Sequence, residues 1–467
     1  MELYRYRNVK SALRELKDRT FYFATRDELN DPIEGYVIVY WQGDKPAWEG
    51  LFRNYICSLF YTIHIYLIKT STMKIDKSAY DILEEIKDEI ILLDIHQFDN
   101  SPLGNIFQEI GDKFLNETLV RQFIEFYGNN NCKCYTKKLA MSLRALYKIA
   151  SHICKEAYER FNNIKNTSDD LKIKEEILFP FEVFKKQNES KSLQSSCKTE
   201  NLFFDSLELE QMKQIKNDTL SILDLILRMS FPVMYVEQLK TIMYDAGYIV
   251  CFSERGNNSA MWGKYANDHK GVCLIYETQN IDKKEFISIN AQDFEIYKVT
   301  YSNRTIKRNF FKSLSRLTDD NRTSWLTGEN NIKSIYLKNP SYYKNVKFQK
   351  EYYFDFKKIF CTKMNDWKNE EEQRVILRSN DKNLPPEKRT FKYNIQSLKG
   401  IIFGIRTPLP DKFKIIQQVQ EMKDDLTNFE FFQAEYDDVN RKICIRCKST
   451  FDGTSYYEHA MKILENA

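Results

Sequence analysis

The stretch CFSERGNNSAMWGKYANDHKGVCLIYE, residues 251–277, decides how the chain is read. Two runs of strand character, at 251–253 and 272–276, flank a polar turn and a short helical segment carrying Trp262, Tyr265 and His269. Those three rings fall at spacings of three and four, which puts them on one helical face. Such a stripe is more often core packing than a ligand contact, so the segment reads as a core hairpin with an aromatic plug or as one wall of a pocket. Ser253 ends a strand, where its hydroxyl can hold a sugar hydroxyl or an amide. Without a GxSxG elbow there is no case for a serine hydrolase.

Outward from this stretch the pattern changes on either side. Upstream, from about residue 48 to 240, long helices are predicted at 78–93, 138–161 and 205–229 by apolar residues three and four apart. The polar runs at 163–170 and 185–200 read as loops, and the apolar run 56–68 reads as a buried helix too short for a membrane span. Before that block, residues 3–7 alternate as a strand, 9–17 have helical spacing, 20–24 return to strand, and Asn30-Asp31-Pro32 breaks the chain. Downstream, strands are predicted at 248–252, 294–301, 359–362, 373–378 and 398–403, with helices at 332–350 and 410–421. The expectation is an α+β fold. Residues 1–47 and 241–409 would form a β-rich mixed-sheet core, 48–240 a large all-α insertion, and 410–467 a C-terminal helix and tail.

The bulk numbers bound the function. At 467 residues the chain exceeds one ordinary core, and 42% hydrophobic content supplies material for packing. Lysine and arginine total 70 against 66 acidic residues, a net charge of +4, so a dedicated nucleic-acid binder is not indicated. The ten cysteines lack the spacing of a disulfide scaffold, and the opening MELYRYRNVK has no apolar signal region. A cytoplasmic protein with no membrane partner is expected. Cys444-Ile-Arg-Cys447 is a lone CxxC, so no metal is expected, and neither a Walker loop nor GxGxxG is present.

Two further segments carry chemistry. In YRYR the alternation of a strand puts Arg5 and Arg7 on one face, where an arginine can fork two bonds to a phosphate or carboxylate; solvated arginines on an edge strand are the plainer alternative. In TKMNDWKNEEEQRVILR, residues 362–378, an extended backbone would place Glu370, Glu372 and Arg374 on one face. Neighbouring carboxylates repel, and one pKa rises unless a cation or ligand relieves them.

LYRYR, FYFATRDELNDPIEG, VCFSERGNNSAMWGKYANDHKGVCLIYE, CTKMNDWKNEEEQRVI and LKGIIFGIR occur in an order that resembles the bacterial family called domain of unknown function 2971. A strand arginine, a strand-end serine and a late Glu-x-Glu are also similar to the layout of ADP-ribosyltransferases. That resemblance implies NAD as substrate, held by Arg5 or Arg7 with Ser253 near the nicotinamide ribose. Glu372 would stabilise an oxocarbenium-like transition state and Glu370 would orient or deprotonate an acceptor, the two acting as the catalytic pair. Trp262 or Tyr265 could stack on a ring, with His269 and Arg374 as further binding candidates. Ser253 departs from the usual pattern, being followed by Glu254 rather than by a second hydroxyl residue.

The first functional expectation is therefore an NAD-consuming enzyme, transferring ADP-ribose to a macromolecular acceptor or hydrolysing NAD, in a toxin or antiphage setting. A second is a non-enzymatic sensor that engages a protein partner through residues 48–240 while Glu370 and Arg374 serve as scaffold. A third is a nuclease binding a divalent ion through Asp366, Glu370, Glu372 and His269.

Overall fold

The computed structural model describes residues 1–31, 33–71, 92, 95–129, 132–162, 219–314, 317–337, 346–381 and 383–450. It divides into two compact units, one of residues 1–37, 245–306 and 350–467, the other of 38–244 and 307–349. The sequence reading had placed 307–349 in the core.

The first unit is built on strands β1 (Glu2–Arg7), β2 (Thr20–Tyr22), β3 (Ala246–Ser253), β4 (Val272–Glu277), β5 (Gln279–Ile281), β6 (Lys284–Ile289), β7 (Gln292–Lys298) and β8 (Thr300–Tyr301). They are followed by β9 (Thr362–Lys363), β10 (Glu372–Ser379), β11 (Thr390–Lys392), β12 (Leu398–Phe403), β13 (Glu430–Asp437) and β14 (Lys442–Thr450). Helices α1 (Val9–Asp18), α2 (Ser259–Tyr265), α3 (Val346–Phe360) and α4 (Leu409–Gln420) accompany them. One ten-stranded sheet runs in the order β14-β13-β12-β4-β1-β3-β10-β7-β6-β5. The mixed helix and strand content agrees with an α+β fold.

Each strand follows from its pattern. In β1 the alternation sends Leu3 to one apolar cluster, with Phe252, Leu274 and Val375, and Tyr6 to another, with Trp262, Cys273 and Ile402. Strand β4 is buried at every position from Val272 to Tyr276 because both faces are covered, which explains its unbroken apolar run. Helix α1 is capped by Asn8, whose Oδ1 accepts from Ser11 N at 2.8 Å, and lays Ala12 and Leu16 onto the first cluster.

The hairpin reading of 251–277 needs correcting. β3 and β4 both flank β1, so the N-terminal strand lies between them. Two other expectations hold only in part. Of the helix expected at 332–350, residues 332–337 are not helical, 338–345 lie outside the described residues, and the chain is helical from Val346. That helix runs to Phe360, leaving only Thr362–Lys363 of the strand expected at 359–362. Strands β13 and β14 were not foreseen; they extend the sheet where a tail was expected.

The second unit is helical, with Lys45–Ser71, Pro102–Asn116, Thr118–Asn129, Thr136–Phe161 and Thr219–Lys240 joined by a small sheet containing Val37–Trp41 and Cys134–Tyr135. All but residue 92 of the expected helix at 78–93, the loops at 163–170 and 185–200, and the start of the helix at 205–229 lie outside the described residues. Among the described residues no helix is long and apolar enough to cross a membrane.

Candidate functional site

Strands β1 and β3 are partnered at a single position, Tyr4 opposite Ser253. Beyond it they part, and Ala24 takes the place opposite Ile249, with reciprocal backbone hydrogen bonds of 2.9 Å. A cavity of about 320 Å³ opens in this parting. Arg5, Arg7 and Cys251 line one part of it, and Asn30, Tyr265 and the charged groups of β9 and β10 line another.

Arg5 is buried, not solvated as an edge strand would leave it, because α1 packs over its face. Its Nε donates to Glu15 Oε2 at 3.1 Å and its Nη1 to the Cys251 carbonyl at 2.8 Å. The Phe21 and Phe252 rings flank the guanidinium, each centroid 5.3 Å away. Arg7 Nε shares the same Glu15 oxygen at 3.0 Å, and the Tyr276 hydroxyl donates to the other at 2.8 Å. Burial would raise the Glu15 carboxyl, but the two arginines outweigh it and hold it below the usual range. Arg7 keeps 31% of its side chain exposed.

Across the cavity lies a buried ionic network. Residues Asn365–Glu370 form a short turn, Glu371 takes a left-handed conformation (φ 47°), and Glu372 opens β10 opposite Ser253. Arg374, fully buried, sits two residues on and forks onto Glu372: Nε to Oε1 and Nη2 to Oε2, both 2.8 Å. Its Nη1 donates to the Phe360 carbonyl at 2.6 Å and pairs with Glu34. Gly35, at φ +64°, turns the loop that delivers Glu34; a side chain there would meet the Arg26 guanidinium. The Lys363 ammonium lies 2.7 Å from Glu370 Oε2, 3.3 Å from Glu372 Oε2 and 3.6 Å from Glu34 Oε2. The Tyr265 hydroxyl donates to Glu370 Oε1 at 2.7 Å and accepts from Asn30.

The electrostatics separate these carboxylates. Burial would raise Glu372, yet Arg374 and then Lys363 reverse the effect and hold it at about 2. For Glu34 burial wins and its pKa is raised, although Arg374 and Lys363 oppose it. Burial, then the Glu372 charge, pushes the Cys251 thiol far up, so it stays protonated.

Arg5, Arg7, Tyr265, Glu370, Glu372 and Arg374 all line the cavity. Ser253, Trp262 and His269 do not. Ser253 is fully buried, and its hydroxyl donates to the Glu370 carbonyl at 2.9 Å, fastening the turn before β10. Trp262 is equally buried: its indole N–H donates to the Gly256 carbonyl at 2.8 Å and its ring meets Tyr6 edge-on at 5.1 Å. His269 belongs to a left-handed turn with Asn267 and Asp268 and stacks on Trp262. Sequence reasoning missed Glu34, Lys363 and Glu15; a buried lysine or glutamate carries no local pattern that marks it. Among the described residues no group of three or more His, Cys, Asp or Glu could hold a metal ion. Around Glu370 and Glu372 the nearby cations are the side chains of Lys363 and Arg374.

A family model described as "Protein of unknown function (DUF2971)" matches residues 261–375. That stretch runs from α2 through the opening of β10, and so contains Tyr265, Lys363, Glu370, Glu372 and Arg374. No curated protein and no solved structure matches the chain.

Proposed function

We propose that this cleft binds NAD and cleaves its nicotinamide–ribose bond, as an ADP-ribosyltransferase-like or NAD-hydrolysing centre. One observation carries the reading: the strands of Arg5, Ser253 and Glu372 are sheet neighbours, β1-β3-β10, and the cavity opens where β1 parts from β3 while β10 stays paired with β3. Breaking a glycosidic bond develops positive charge on the ribose, and a carboxylate held ionised in a water-poor site stabilises it without reorganising. Glu372, gripped by Arg374, has that property. Glu370, touched by the Tyr265 hydroxyl, is suited to take a proton from water or from an acceptor. Arg7, partly exposed beside the locked Arg5, offers a cation to a phosphate.

Nicotinamide release from NAD by the purified protein tests the reading. The wild type should turn over, and Glu372→Gln should lose about 10²–10³ in rate, the scale of removing one preorganised electrostatic contact. A folded wild-type protein that neither cleaves nor binds NAD sinks it. The sensor alternative is supported by a specific observation too, since both oxygens of Glu372 are already taken by Arg374. On that reading Glu372→Gln would lower stability and change no reaction.

A further inference from the structure

We propose that Lys363 is the positioning residue that aligns Glu370 and Glu372 as a working pair; this assignment rests on the NAD-cleaving reading of the cleft. Backbone geometry alone does not set the pair. Glu370 closes a turn, Glu371 is left-handed, and Glu372 begins a strand, so the two carboxylates leave segments of different conformation. Their Oε2 atoms nonetheless converge on one ammonium, at 2.7 and 3.3 Å. An ammonium is a compact charge with three donors, suited to joining acceptors that arrive from different directions.

Arg374 cannot take this role, because its nitrogens are committed to Glu372, Glu34 and the Phe360 carbonyl. Lys264 reaches Glu370 Oε1 at 3.7 Å but is 47% exposed. Among the described residues Lys363 is the one cation that pairs with both carboxylates. It is delivered by a separate element: β9 pairs in parallel with β8, setting Tyr301 beside Lys363. The Tyr301 hydroxyl accepts from the Glu372 backbone N–H at 2.8 Å, so this small strand pair holds Glu372 by two groups.

Besides Lys363, the titratable and charged groups facing the pair are Lys264 and Tyr265 from α2, Tyr301 from β8 and Arg374 from β10. Glu34, from the loop after β2, Cys251, from β3, and Cys361, between α3 and β9, face it as well. Burial favours a neutral Lys363, but the three carboxylates outweigh it and its pKa is raised, so it remains an ammonium. Removing that charge leaves Arg374 as the remaining cation on Glu372.

The test compares wild type, Lys363→Gln and Lys363→Arg for nicotinamide release across pH, with a thermal melt of each. Lys363→Gln should lower kcat about 10–100-fold, as losing an outer partner of a reacting group does, with KM changed less than about threefold. The acidic limb of its pH profile should move upward, because Glu372 protonates more readily. Lys363→Arg restores the charge and should return that limb to its wild-type position. If Lys363→Gln does not fold, the double variant Glu34→Gln/Lys363→Gln, which removes one buried charge of each sign, is read in the same way.

A folded Lys363→Gln or double variant with the wild-type kcat and acidic limb overturns the assignment, as does a Lys363→Arg limb displaced as far as that of Lys363→Gln. A wild type that releases no nicotinamide overturns the NAD reading itself. In that case the ¹³C titration of the Glu372 carboxyl decides whether Lys363 acts on the pair: a raised midpoint in the uncharged variant supports it, and an unmoved one overturns it.

Discussion

Arg374 shows how much can depend on one side chain. It is fully buried, its guanidinium meets Glu372 in a fork, and it also pairs with Glu34. Burying an ion carries a penalty of several kcal/mol, which only partners and hydrogen bonds offset. Replacing it with methionine leaves two buried carboxylates to Lys363, which already pairs with Glu370, so Arg374→Met should lose about 3–5 kcal/mol in urea unfolding. The pH dependence follows from Glu372. Its carboxyl is held at about 2 against an ordinary 4.5, so its stabilising contribution is complete above about 4.5 and is lost as pH falls through the folded value. Wild-type stability should therefore fall between about pH 4.5 and 2, and Glu372→Gln should flatten that part of the curve, as followed by circular dichroism. Glu34 has the opposite sign: its raised pKa means that its ionised form opposes folding, an effect relieved on acidification.

At the scale of the element, the link from α2 to β4 is a backbone device more than a binding surface. Asn258 caps the helix, Asn267, Asp268 and His269 follow at positive φ, and Gly271 starts the return. Asn and Asp tolerate the left-handed region best, and a β-branched side chain there clashes with its own backbone. His269→Val should thus lose about 1–2 kcal/mol in thermal denaturation, while His269→Asn should keep both stability and NAD turnover. A drop in turnover with His269→Asn at unchanged stability would restore a binding role. Gly271 faces a tighter limit, since a Cβ would stand 2.1 Å from the Arg7 carbonyl and force β1 aside. Gly271→Ala should cost about 1–3 kcal/mol by the same measurement.

Across the whole molecule, the first unit is assembled from three separate stretches of chain, and its N-terminal strand lies inside the sheet, between β4 and β3. Deleting residues 1–8 removes that central strand and exposes the edges on both sides. Cooperative unfolding of this unit should then disappear, visible as loss of the sharp transition in a thermal melt. The sequence by itself determined what short-range pattern can carry. Alternation marked β1, three-and-four spacing marked α1, and apolar runs marked β4, β10 and β12, because each depends on neighbours a few residues apart. The arginines of YRYR and the pair Glu370 and Glu372 were singled out for the same reason, their residue types and spacing being local, and all four line the cavity. The tertiary structure alone decided the rest. That β1 separates β3 from β4, that the parting of β1 and β3 opens a cavity, and that Ser253 and Trp262 are fasteners outside it all depend on strand order. Lys363 and Glu34 gave no local sign, because a buried charge is stable only through partners from other segments, here gathered from β9, β10 and the loop after β2.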